Sequence, residues 1–191
     1  LITAEEQSRL RESILGVAGL SVGAGIAIGA ACSGMSRTMR IADSDAVDTS
    51  NLNRLRAGVM DIGQPKVTLA ARRIYELDPY ANVEPHSAGI SEANIGEFYT
   101  RGGALSLVFD EIDDFKMKVF MRLEAKARAI PLVMLTNLGD SILIDIERYD
   151  TEKDTRPFLG VVDDIVEKIT KKQTISHADI VRFSAALIGV E

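Results

Sequence analysis

Apolar and polar positions divide the chain into short blocks. From Ser13 to Cys32 an apolar run (SILGVAG) is followed by a glycine turn (GLSVGAG) and a second apolar run (IAIGAAC). This order predicts a buried strand over about 14–19, a tight turn, and a buried helix of small residues that stops near Gly34. The preceding LITAEEQSRLRE predicts a short polar helix capped by Thr3. TMRIAD predicts a second strand over about 38–43, running out into Asp43 and Asp45, and residues 44–64 form a long polar loop. Pro65 opens a helix over 65–77 with Val67, Ala70, Ala71, Ile74 and Leu77 on one face, and Asp78-Pro79 stops it. A third strand is predicted over 81–85. Ser91 is expected to cap a helix over about 92–100, ended by Gly102-Gly103. The run ALSLVF predicts a fourth strand leading into DEIDD. A helix over 115–129 then carries Met117, Phe120, Met121 and Leu123 inward. PLVML predicts a fifth strand, and SILIDIER at 141–148 alternates as an antiparallel strand with one wet face. Residues 150–160 turn polar, and helical patterns follow over 161–172 and 176–189, the second capped by Ser176.

Strands alternating with helices predict an α/β fold: a Rossmann-like, doubly wound, mostly parallel sheet with an antiparallel extension. The expected division is a nucleotide-binding domain over 1–150 and a helical C-terminal appendage over 151–191, with no internal repeat. A start at Leu1 rather than Met fits a piece of a longer chain.

Composition narrows the function. A net charge of −6 argues against binding nucleic acid by general phosphate attraction. Trp is absent and aromatics make up 5%, which argues against a base-stacking platform. Cys32 is the only cysteine, so neither a disulfide nor a CxxC zinc pair can form within the chain. A reducing, cytoplasmic setting is expected, with Cys32 in the core. The uncharged stretch between Glu12 and Arg37 is long enough to span a bilayer. Gly19/Gly23 and Gly25/Gly29 have GxxxG spacing, and Cys32 could end a lipoprotein signal. Its many glycines and its lack of Trp or Tyr at either end make poor span composition. The preferred reading is a buried strand and helix, with no membrane partner.

The chemistry centres on the glycine turn. Gly19, Gly23 and Gly25 let the backbone turn sharply and approach a ligand, and a helix starting there aims free N–H groups at phosphate. Asp43 follows Gly23 by 20 residues, where a carboxylate can accept the ribose hydroxyls. The bland alternative for Asp43 is a turn residue. His86 and His177 are isolated and are read as surface or helix residues.

Three segments in fixed order go further: DSDAVDTSNLNR, GQPK and DEIDDF. Together they resemble the ThiF/MoeB family, the ubiquitin-activating-enzyme-like adenylyltransferases, from about Glu6 to Asn137. The resemblance implies ATP-dependent activation of a carboxylate as an acyl-adenylate. The acceptor would be the C-terminus of a ubiquitin-like protein or a small carboxylate. It implies that Gly19, Ser21 and Gly23 cradle phosphate and that Asp43 holds the ribose, with Asp45 also in the nucleotide-binding set. Asn51, Arg54 and Lys66 would bind the triphosphate, and Asp113 would hold Mg²⁺. Arg54, Lys66 and Asp113 form the implied catalytic set, with Asp114 capping the next helix. A homodimer is also implied.

Departures from the family pattern are Ser21 and Ala24 at glycine positions, Leu55 in place of a polar residue, and Lys118 where arginine is common. The upstream arginine that many members lend to a partner's site is expected to lie before Leu1 or to be absent. No cysteine follows the fifth strand, so neither thioester relay nor zinc is expected. Two readings follow: an adenylation-only enzyme, or a non-catalytic module that binds ATP, NAD or FAD within a larger protein.

Overall fold

The computed structural model describes residues 2–189. These form two compact units that meet in sequence between Ile112 and Asp113. The boundary expected at 150 therefore falls inside the second unit.

The first unit starts with α1 (Ala4–Glu12), closed by a reciprocal Thr3–Glu6 capping box. Then come β1 (Ile14–Ala18), α2 (Gly23–Cys32), β2 (Thr38–Ala42), α3 (Lys66–Leu77), β3 (Asn82–His86), α4 (Ile95–Thr100) and β4 (Leu107–Asp110). The strands are parallel in the order β3-β2-β1-β4, with Val17 opposite Ile41 and Phe109. This is a doubly wound α/β arrangement. Leu15, Val17, Met39 and Ile41 pack against Ala27, Ile28, Leu69, Ala70 and Ile74 of α2 and α3. The alternate residues face the other way: Gly16 lies under Leu105 and Phe98, and Arg40 reaches the same side. Arg40 is fully buried yet has a complete set of partners. It donates to Glu84 Oε2 (3.0 Å), the Phe98 carbonyl (2.9 Å) and the Gly103 carbonyl (2.7 Å), which fastens the α4 region to the sheet.

The second unit contains α5 (Phe115–Ala127), the antiparallel hairpin β5 (Leu132–Leu138) and β6 (Ser141–Glu147), then α6 (Asp163–Thr170) and α7 (His177–Leu187). Asp114 caps α5 by accepting the Met117 N–H, and Ser176 caps α7 in a capping box with Asp179. Phe158, Val162, Ile165, Ile169 and Phe183 form this unit's helical core with Val119.

Several faces differ from expectation. Cys32 is exposed, on the same outer stripe of α2 as Gly25 and Gly29. Every side chain of α2 is small or apolar, so the sequence carries no contrast to mark the inner face. Leu77 is also exposed, and Leu69 takes its place in the core. In α5 the most buried positions include Lys118 and Arg122, while Met117, Phe120 and Leu123 are half-buried. The wet face of β6 is the aliphatic one. Ile142, Ile144 and Ile146 are each more than half exposed, whereas Glu147 is buried because it meets Arg122. Ser91 does not cap α4; a turn over Ser91–Asn94 precedes the helix, and Asn94 Oδ1 accepts the Ser91 N–H. Among the described residues, no helix is long and apolar enough to cross a membrane.

Candidate functional site

The glycine turn sits where β1 ends. Gly19 has φ +89°, and an added Cβ would lie 2.2 Å from the Glu111 carbonyl oxygen, so only glycine fits. Its N–H donates to the Ala42 carbonyl (2.8 Å). Gly23 packs on Val17, where a Cβ would come within 2.6 Å of Cγ1. Gly25 is different: a Cβ there would meet nothing within 4 Å, so the space over the first turn of α2 is open. No side chain caps this helix and no acidic residue lies in its first turn, which leaves its positive dipole end unneutralised.

Asp43 ties the turn to the following loop. Its Oδ2 accepts the Leu20 N–H (2.7 Å) and its Oδ1 accepts the Asp45 N–H (2.8 Å). A carboxylate offers about four lone-pair sites, so capacity remains for ribose hydroxyls. The loop closes on itself through Val47 N–H to Gln64 O and Gly63 N–H to Val47 O, both 2.8 Å. That closure sets the start of α3 beside Asp45, and the Lys66 N–H donates to the Asp45 carbonyl (2.9 Å). The Lys66 side chain then reaches across. Nζ lies 2.7 Å from Asp45 Oδ2 and 3.6 Å from Asp43 Oδ2, and it donates to Ser21 Oγ at 3.3 Å. The Lys66 side chain is 5% exposed, but that of its nearest partner, Asp45, is 68% exposed. Of the two carboxylate partners of Lys66, Asp43 is largely buried, and Asp45 is the one that water or a ligand can displace.

Gly19, Ser21, Gly23, Asp43, Asp45 and Lys66 therefore form one group. Asn51 is buried and serves its own turn: its Oδ1 accepts the Asp48 N–H, while Asp48 Oδ1 accepts the Ser50 N–H. Arg54, exposed on that turn, donates to the Ser50 carbonyl and to Asn53 Oδ1, both at 3.1 Å, and pairs with no carboxylate among the described residues. Asp113 opens the second unit, exposed and without a hydrogen bond or ion pair among the described residues. One free carboxylate that leaves most positions to water suits Mg²⁺. No sequence pattern marks the Leu20 N–H that Asp43 accepts.

A parallel α/β sheet with an open, uncapped helix start and a lysine-bridged acid pair beyond β2 defines a nucleotide-binding fold of Rossmann type. Residues 1–189 match the model of the ThiF family, and the chain belongs to that family. It is similar to the uncharacterized protein MT1398 of Mycobacterium tuberculosis (strain CDC 1551 / Oshkosh): 43% identical over 181 residues, covering 93% of this chain and 25% of that protein. The tRNA threonylcarbamoyladenosine dehydratase of Bacillus subtilis (strain 168) is 30% identical over 173 residues, covering 90% of this chain and 65% of that one. Among solved structures, the E. coli tRNA N6-threonylcarbamoyladenosine dehydratase in complex with AMP aligns with a TM-score of 0.66 and 25% identity, covering 73% of this chain and 57% of that one. The chain thus spans a quarter of the mycobacterial relative's length and 65% of the Bacillus one's.

Proposed function

We propose that this chain binds ATP over the Gly19–Gly25 turn and transfers its adenylyl group to a carboxylate. A carboxylate oxygen attacks the α-phosphorus, the bond to the bridging oxygen breaks, and an acyl-adenylate and pyrophosphate leave. The observation that carries this reading is Lys66. It is a nearly buried ammonium at the open start of α2, held there by Asp43, Asp45 and Ser21. Developing negative charge on phosphate oxygens calls for fixed positive charge at that point. Family membership and the AMP complex of a solved neighbour support the nucleotide.

In this reading Asp43 takes the ribose hydroxyls, and Asp45 releases Lys66 to the phosphates. Arg54 leaves its own turn, which Asn51 stiffens, to join Lys66 on the triphosphate. Asp113 would hold Mg²⁺, which when bound neutralises phosphate charge. The acceptor is a ubiquitin-like protein's C-terminus or a small carboxylate, and the working assembly is a cytoplasmic homodimer. The test is ATP–pyrophosphate exchange by the intact chain with candidate acceptors. Exchange should require Mg²⁺ and vanish in Asp113→Ala and Lys66→Ala. Absence of exchange with every acceptor would remove the enzymatic reading.

A second reading, a nucleotide-binding module without catalysis, draws on Leu55 being buried and Arg54 being folded onto its own turn. ATP binding without exchange would favour it, and binding of NAD or FAD in preference to ATP would replace the nucleotide assignment.

A further inference from the structure

In the loop between Asn51 and Lys66, two neighbouring residues have opposite surroundings. Leu55, at the position where a polar side chain is expected, is buried in the core between α2 and α3 with Val67 and Leu69. Arg56 instead lines a narrow slot with Ala24 of the first turn of α2, Lys66 and Arg73. Ala24, Ile28, Leu55, Leu69 and Ala70 give this slot an apolar floor, and its rim carries three cations. Two of the three have carboxylate partners: Lys66 has Asp45 and Asp43, and Arg73 has Glu76 (2.8 Å). Arg56 is exposed, and among the described residues its side chain has no ion pair or hydrogen bond. Its backbone is nonetheless anchored, because the Arg56 carbonyl accepts from Arg73 Nε at 3.4 Å. An unpaired guanidinium on a fixed backbone, next to an open helix start, has no carboxylate to give up before it binds an anion.

We infer that Arg56 supplies a further cation to the nucleotide site. It contacts the β- and γ-phosphates of the nucleotide that Lys66 holds nearer the turn. The inference rests on the proposed ATP site and names a further residue of it. Guanidinium matches two phosphate oxygens at once, so Arg56 discriminates triphosphate from monophosphate. Leu55 in turn is a packing residue, and a polar side chain there would be buried rather than delivered to ligand.

The test is calorimetric titration of the full chain with Mg-ATP and with AMP. For Arg56→Ala we expect at least a tenfold loss of ATP affinity with AMP affinity within twofold of wild type. Arg56→Lys should recover part of the ATP affinity. Unchanged ATP affinity in Arg56→Ala overturns the inference, and so does an equal loss for ATP and AMP, which would mean a structural role. Circular dichroism and Tm of each variant establish that it folds, and Arg56→Gln serves if Arg56→Ala does not. A wild-type chain that binds neither nucleotide instead removes the ATP reading itself.

Discussion

Two cation–carboxylate groups, one in each unit, show how burial of the partner sorts chemistry from scaffolding. In the first unit Lys66 is nearly buried, but its nearest partner, Asp45, is mostly in water. In the second unit Arg122 and Glu147 are both fully buried, with Nε 2.9 Å from Oε2. Arg122 also lies over the Phe158 ring, 4.0 Å from its centroid, and Glu147 Oε1 accepts the Phe158 N–H at 2.5 Å. This network holds Phe158 at φ +53° and Leu159 at φ +55°, a left-handed pair that side chains with a Cβ seldom adopt. A ligand can displace Asp45 from Lys66. Glu147 at Arg122 is fully buried, with Asp145 as a second carboxylate 3.7 Å from the guanidinium.

The contrast breaks most sharply at Arg122. Arg122→Ala leaves Glu147 buried without its countercharge and should cost about 3–5 kcal/mol in chemical denaturation. Lys66→Ala, with one partner already in water, should cost less stability and mainly abolish exchange. An Arg122→Ala protein as stable as wild type would show that the buried pair does not hold the second unit.

Glu147 also gives the pH arm of the comparison. Burial raises its carboxyl above the ordinary carboxylate value, against the opposing pull of Arg122, while Asp145 pushes the same way as burial. A carboxyl raised in the folded state contributes stability that is full below its unfolded value and declines as pH rises through its folded value. The difference in unfolding free energy, wild type minus Glu147→Gln, should therefore become less favourable as pH climbs from the acid side through that window. A flat or rising difference would contradict the assignment.

A milder change sharpens the first unit. At Gly25 a methyl meets no protein atom. Gly25→Ala should therefore stabilise the fold by about 0.5–1 kcal/mol through helix propensity, seen as a raised Tm. If the proposed site holds phosphate there, it should also weaken ATP by several-fold, because the methyl takes that space. Wild-type ATP affinity would move the phosphate elsewhere. The smallest effect is expected at Cys32, which is exposed: Cys32→Ser should change stability by less than about 0.5 kcal/mol.

Local signals in the sequence translated directly into structure. Thr3, Asp114 and Ser176 each cap the helix they precede, because capping needs only a few neighbouring residues. The glycine turn and Asp43 were legible for a similar reason: one strand–turn–helix–strand unit carries them in order, whereas Lys66, which opens α3, was marked by GQPK. Orientation was less legible. Period-two alternation in β6 shows that Ile142, Ile144 and Ile146 share a face but not which face the chain covers. The uniform small residues of α2 hid the outward turn of Cys32, and the polar character of Lys118 and Arg122 hid their burial.

The outward thiol of Cys32 has a practical corollary. It is the only sulfhydryl in the chain and sits at the far end of α2, about 14 Å along the helix from Gly23 at 1.5 Å per residue. A single maleimide dye attached there, with no background labelling to remove, lies within energy-transfer range of a fluorescent ATP analogue seated on the turn. Occupancy of the site can then be followed optically in real time with the natural sequence.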